Sequence, residues 1–84
     1  MWVIMHELGV LKNAVNTVIQ IAKENKIDKI EFITLEIGES STFVPAFFEK
    51  LFPVAIDGIK EFEGASLKMV FAPGKSLIIK EIGY

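Results

Sequence analysis

The sequence predicts an α+β domain in which two helices pack on one face of a small mixed β-sheet that ends in a β-hairpin. Three observations carry that expectation. Apolar residues recur at three- and four-residue spacing near the start of the chain, a β-branched run follows, and the last twenty or so residues alternate in two short segments joined by a turn. With 84 residues and no repeat, linker or low-complexity stretch, residues 1–84 read as a single domain.

The first helix is expected from about Glu7 to Asn25. Leu11, Ala14, Val15, Val18, Ile21 and Ala22 form its apolar face, while Lys12, Asn13, Asn16, Gln20, Lys23 and Glu24 fill the other. Lys29 to Ile37 then reads as a strand ending at Gly38, with Ile33, Leu35 and Ile37 on one face and Ile30, Phe32, Thr34 and Glu36 on the other. Ser40, Ser41 and Thr42 are N-cap candidates for a second helix whose apolar residues are Phe43, Val44, Phe47, Phe48, Leu51 and Phe52. These cover nearly half the helix circumference, more than packing on one sheet needs, so Phe43, Phe47, Phe48 and Phe52 are candidate interface residues for a homo-oligomer. Pro53 is expected to kink or end this helix, with room for one further turn over Val54 to Asp57 before Gly58. After the Gly64 turn, Ser66 to Phe71 alternates with Leu67, Met69 and Phe71 facing one way. Ser76 to Ile82 alternates as well. Pro73 and Gly74 between them suit the centre of a type II turn, hence the hairpin.

Composition narrows the function classes. Nine basic residues, all lysine, against eleven acidic ones leave a net charge of −2, and without arginine the chain lacks the side chain best suited to bidentate phosphate or guanine contacts, so nucleic acid is not an expected partner. There is no cysteine and one histidine, too few ligands for a structural zinc site and none for a disulfide framework. No stretch approaches the roughly 20 apolar residues of a membrane span. Met1-Trp2-Val3-Ile4 is apolar but has no basic segment before it and is soon interrupted by Glu7, unlike a signal peptide, so a cytoplasmic protein without a membrane partner is expected. A hydrophobic content of 51% and a mean hydropathy of +0.44 are high for a domain that buries only about 60% of its unfolded surface, and point to a covered apolar patch.

Few residues can carry chemistry. Gly74-Lys75-Ser76 matches the tail of a phosphate-binding loop, but Met69 stands where that motif needs glycine and a strand follows where it needs a helix. Ser40, Ser41, Ser66 and Ser76 are available hydroxyls with only His6 as a base and no nucleophile elbow. Glu36 and Glu39 read as a strand edge and an acid before a helix rather than a catalytic pair, so an enzyme is not expected. On residue type alone, a lone histidine at a helix entrance is a hydrogen-bonded or partly exposed ring. The alternative is metal binding. Ni(II) favours square-planar nitrogen donation, which a free amino terminus followed closely by histidine supplies as amine, deprotonated amides and imidazole. That geometry requires a start at Met5, because the Met1 amine lies too far along the chain.

Met5-His6-Glu7-Leu8 before a long helix, Leu35-Glu36-Ile37-Gly38-Glu39, Val44-Pro45 opening a second helix and Glu63-Gly64-Ala65 before a strand together resemble the hydrogenase nickel-incorporation family, HypA/HybF. The resemblance implies a nickel metallochaperone for [NiFe]-hydrogenase maturation that works with a GTPase partner and the hydrogenase large subunit. It implies metal ligands at Met5 (amine), His6 (backbone nitrogen and imidazole) and Glu7 (backbone nitrogen). Two features depart from the family pattern: Met1–Ile4 precede the family's starting methionine, and the zinc module with its Cys-x-x-Cys pairs is missing, the tight Pro73-Gly74 turn standing in its place. Nickel is therefore an expected ligand and zinc is not. Met1–Ile4 is either an upstream start or an added edge strand that places His6 at a strand–helix corner. In the second case nickel binding is expected to be weak and unselective, through the imidazole, Glu7 and water. The alternative function, suggested by the broad Phe43–Phe52 face, is a HypA-like interaction or oligomerisation module that has lost nickel.

Overall fold

The computed structural model describes residues 2–84, with side chains from His6 onward. In chain order the elements are α1 (Trp2–Glu24), β1 (Phe32–Gly38), α2 (Pro45–Ile56), a single 3-10 turn (Lys60–Phe62), β2 (Ser66–Ala72) and β3 (Leu77–Gly83). The architecture is the expected α+β arrangement of two helices and a three-stranded mixed sheet.

Helix α1 starts earlier than the apolar periodicity indicates. Trp2–Ile4 belong to it, so they form no edge strand; Met1, the rest of that expected segment, lies outside the described residues. No proline or glycine separates these residues from the helix that follows, and extending an existing helix gains one hydrogen bond per residue fixed. Leu11, Ala14, Val15, Val18 and Ala22 are all buried, as their spacing requires. The helix is closed by Lys26 in the left-handed region (φ 57°), which lets the Ile27 N–H donate to the Ala22 carbonyl at 2.8 Å.

The strand order is β2-β1-β3, with β1 parallel to β2 and antiparallel to β3. The last two strands therefore do not pair as the expected hairpin; β1 lies between them. The reason is visible in β1 itself, where Ile33, Leu35 and Ile37 are all at most 1% exposed. A strand this apolar gains most from the middle of the sheet, where both edges find backbone partners and neighbouring side chains cover it. Aligned with it on the helix side are Leu67, Met69 and Phe71 of β2 and Ile82, Ile79 and Leu77 of β3. Phe71 nonetheless remains 53% exposed at the far end of the edge strand.

Placing β1 in the centre obliges the β2–β3 connection to cross its end. Residues 73–76 span two strand spacings, about 10 Å, and pass directly over Gly38. The Gly38 N–H donates to the Ser76 carbonyl at 2.7 Å, Glu39 to Ala72 at 2.8 Å and Ser40 to Gly74 at 2.9 Å. A Cβ on Gly38 would lie 2.3 Å from the Gly74 carbonyl oxygen, so no other residue fits beneath this crossing.

Helix α2 begins at Pro45, with Val44 at the N-cap, and not at Ser40–Thr42. Ser40 and Ser41 are held in the crossing instead, the Ser41 N–H donating to the Gly38 carbonyl at 3.0 Å, and proline at the first helical position sets the backbone for the helix that follows. Pro53 lies within α2, which continues for one further turn as anticipated; Pro53 and Glu49, whose carbonyl loses its donor, both face solvent. The 3-10 turn was not anticipated. Its Phe62 is fully buried and meets Phe52 edge to face, with ring centroids 6.5 Å apart. The turn also explains why Ile30 is buried rather than on the open face, because the Ile30 N–H bonds to the Glu61 carbonyl outside the β-ladder.

The open face of the sheet is mixed, with Phe32, Val70 and Ile78 among its polar and charged side chains. Lys80 pairs with Glu36 at 3.6 Å, Thr34 Oγ1 donates to Glu81 Oε1 at 3.4 Å, and the Lys68 ammonium sits 3.9 Å from the centroid of the Phe32 ring. Gly38→Ala is expected to lower unfolding free energy by about 1–3 kcal/mol, measured by denaturant melting. An unchanged midpoint would show that the crossing can lift off β1 freely.

Candidate metal site

Every residue of the candidate site lies where the start of α1 meets the entrance to α2. On α1, Glu7 is four residues before Leu11 and falls on the same apolar stripe, whereas His6 sits off it with Val10, Asn13 and Thr17. The stripe therefore carries a carboxylate into the core: Glu7 is 1% exposed. Its Oε2 accepts a hydrogen bond from the Val44 N–H at 3.0 Å. Helix α2 has no side-chain cap of its own and has proline where a second free N–H would stand. A carboxylate from α1 thus serves as the missing cap and as the negative charge that a helix N-terminus favours. The other oxygen, Oε1, is buried without a hydrogen-bond partner, and so is Ser41 Oγ on the loop leading to α2.

His6 is exposed, and its imidazole stacks on Phe43, with centroids 5.3 Å apart and planes 10° from parallel. Phe43 leans in turn on the fully buried Phe48 at 5.5 Å, so the imidazole is braced against the core. Stacking covers a face of the ring and leaves the nitrogen-bearing edge accessible, as a metal-binding histidine needs. Among the described residues no three His, Cys, Asp or Glu side chains gather into a metal-binding group.

The backbone bears directly on the expected ligand set. With α1 running from Trp2, helical geometry commits the His6 and Glu7 amides to the carbonyls four residues earlier. Neither is then free to act as a deprotonated nitrogen donor. Met5 lies within the same helix, and its side chain is outside the described set. The expected aromatic interface also changes. Phe48 and Phe52 are 0% and 5% exposed and belong to the core, while Phe43 and Phe47 are half-buried, Phe43 serving as the platform for His6. Glu36 is taken up by Lys80 on the open sheet face.

The sequence reading missed the contacts of Glu7 with Val44 and of His6 with Phe43. Part of the first was signalled, since an acid on an apolar stripe needs a buried partner; nothing in the sequence pointed to Val44 as that partner. Glu7→Ala is expected to cost about 1–3 kcal/mol of stability by leaving the Val44 N–H unpaired. Glu7→Gln, which can still accept that bond, should lose less. Equal, negligible losses in chemical denaturation would remove the capping role.

A family model described as hydrogenase/urease nickel incorporation, metallochaperone, HypA, matches residues 5–77, beginning on Met5 itself. A hydrogenase maturation factor HypA from Trichodesmium erythraeum is 40% identical over 70 residues, which make up 83% of this chain and 58% of that protein. The chain thus spans little more than half the length of this relative. The solution structure of the Ni metallochaperone HypA from Helicobacter pylori superposes with a TM-score of 0.74 at 21% identity, covering 89% of this chain and 70% of the other. A second HypA solution structure gives 0.68 at 23% identity, over 92% and 71% of the two chains. The fold is therefore shared with solved HypA proteins, and the extent of the family match shows that this chain belongs to the HypA family of hydrogenase/urease nickel-incorporation metallochaperones.

Proposed function

We infer that this chain carries Ni(II) as cargo for [NiFe]-hydrogenase maturation, with the His6 imidazole as the anchoring donor and Met5 and Glu7 completing the ligand set. The observation that carries the reading is a family match that begins on Met5, next to an exposed imidazole braced by Phe43. Imidazole suits Ni(II), and a chain starting at Met5 would add a primary amine and two nearby amide nitrogens within one compact chelate. In the sequence as it stands the Met5 nitrogen is acylated by Ile4. A start at Met1 therefore leaves a weaker site made of the imidazole and water, because the Glu7 carboxylate is buried against Val44. A GTPase partner and the hydrogenase large subunit as recipient belong to the same reading.

One observation favours a second reading, a HypA-like interaction module without metal: the helix already uses the His6 and Glu7 amides. Calorimetric titration of Ni(II) into the chain begun at Met1, the chain begun at Met5 and His6→Ala separates the two. The metallochaperone reading expects tightest binding with the Met5 start, weaker binding with the Met1 start and loss of binding in His6→Ala. No binding by either intact form would end it in favour of the metal-free module.

A further inference from the structure

We propose that the free edge of β3 pairs antiparallel with the same edge of a second copy, about a two-fold axis passing between Lys80 and Glu81. The inference rests on an irregularity in the β1–β3 register. Thr34 faces Glu81 and Leu35 faces Ile79, so Lys80 is an extra residue in β3. Its ammonium reaches Glu36 while Glu81 reaches Thr34, so both side chains lie on the open face. Ile79 and Ile82 stand opposite Leu35 and Ile33, on the helix face. Outward from the Lys80/Glu81 step, the facing is therefore the same in both directions: Ile79 and Ile82 to the helix side, Ile78 and Gly83 to the open side.

A strand whose facing pattern is symmetric about its midpoint can pair with its own copy without turning any side chain to the wrong face, the condition that normally restricts register. The edge groups agree. The Ser76 and Gly83 carbonyls bond to the Gly38 and Glu31 N–H groups of β1. Alternating inward from each end, the backbone groups of Leu77 and Ile79 on one side and Ile82 on the other point away from β1. In the proposed register Ile79 lies opposite Ile82 of the second copy, so both edges offer their free donors and acceptors at the same positions.

The chemistry of the facing pairs then decides the occupant. Lys80 meets the second copy's Glu81, and Glu81 its Lys80, giving two opposite-charge cross-strand pairs at the centre. Lysine and bulges ordinarily guard an edge against pairing, but here the acid beside the lysine turns the guard into a match for a second copy. Ile78, 48% exposed, meets Gly83, over which the Phe32 ring already lies closely enough that a Cβ there would collide with it. The free edge of β2 offers no such match, since Ser66–Ala72 has a lysine and no acid. Most of the pairing segment lies beyond Leu77, where the family match ends.

Sedimentation equilibrium of the full chain tests this through charge exchange. The parent is expected to dimerise. Lys80→Glu and Glu81→Lys should each weaken the dimer about tenfold or more, because each acts twice across the axis, and the double exchange Lys80→Glu with Glu81→Lys should restore it. Far-UV circular dichroism confirms folding in each, and Phe47→Ser, on the half-buried face of α2, should leave the dimer intact. A parent that stays monomeric at millimolar concentration, single exchanges without effect, a double exchange no better than either single one, or loss of the dimer in Phe47→Ser would each overturn the proposal.

Discussion

A central strand with both edges occupied must lie beneath the connection between its neighbours, and this one constraint organises the molecule. β1 takes β2 on one side and β3 on the other, so the Pro73–Ser76 segment crosses its end at Gly38, where only a hydrogen atom fits. Hydrogen bonds from Glu39 and Ser40 to the crossing then direct the chain leaving β1. A few residues later that chain delivers Phe43 and Val44 to the start of α1. The candidate site is thus a product of the strand order.

The same region joins stability to chemistry through neighbouring side chains. Glu7 points inward and caps α2 through the Val44 N–H, while His6 points outward onto Phe43. The carboxylate holds the two helix entrances together and the imidazole is presented on the surface that results. A residue implied as a nickel ligand therefore also has a structural duty: its side chain is engaged with α2, and its amide belongs to the α1 ladder. In this conformation the exposed His6 ring is stacked on Phe43, whereas the carboxylate and the amide of Glu7 are both engaged.

The aromatic residues divide by depth rather than by their place on the helical wheel. Phe48 and Phe52 fill the core together with Phe62, and truncating a buried phenylalanine of this kind costs about 3–5 kcal/mol. Phe43 supports His6. The 3-10 turn covers part of the apolar face of α2, through Phe62 on Phe52. The large apolar side chains left exposed among the described residues are Val44 and Val54 at α2, Phe71 and Ile78 in the two edge strands, and Tyr84 beyond β3.

Helix and strand content was legible in the sequence because it depends on local periodicity. The stripe from Leu11 to Ala22, the alternation of β1, the further turn of α2 beyond Pro53 and the two final strands all follow from residue spacing. The family was legible too, through Met5-His6-Glu7 and the segments after it. What only the tertiary structure decided is non-local. Pairing of β2 and β3 with β1 instead of each other, burial of Ile30 by the 3-10 turn, Val44 as the partner of Glu7 and Phe43 as the platform for His6 each join residues far apart in the chain. Side-chain periodicity specifies which face of an element is apolar, but not which element will cover it, because that choice is set by the competition among all the elements for one shared core.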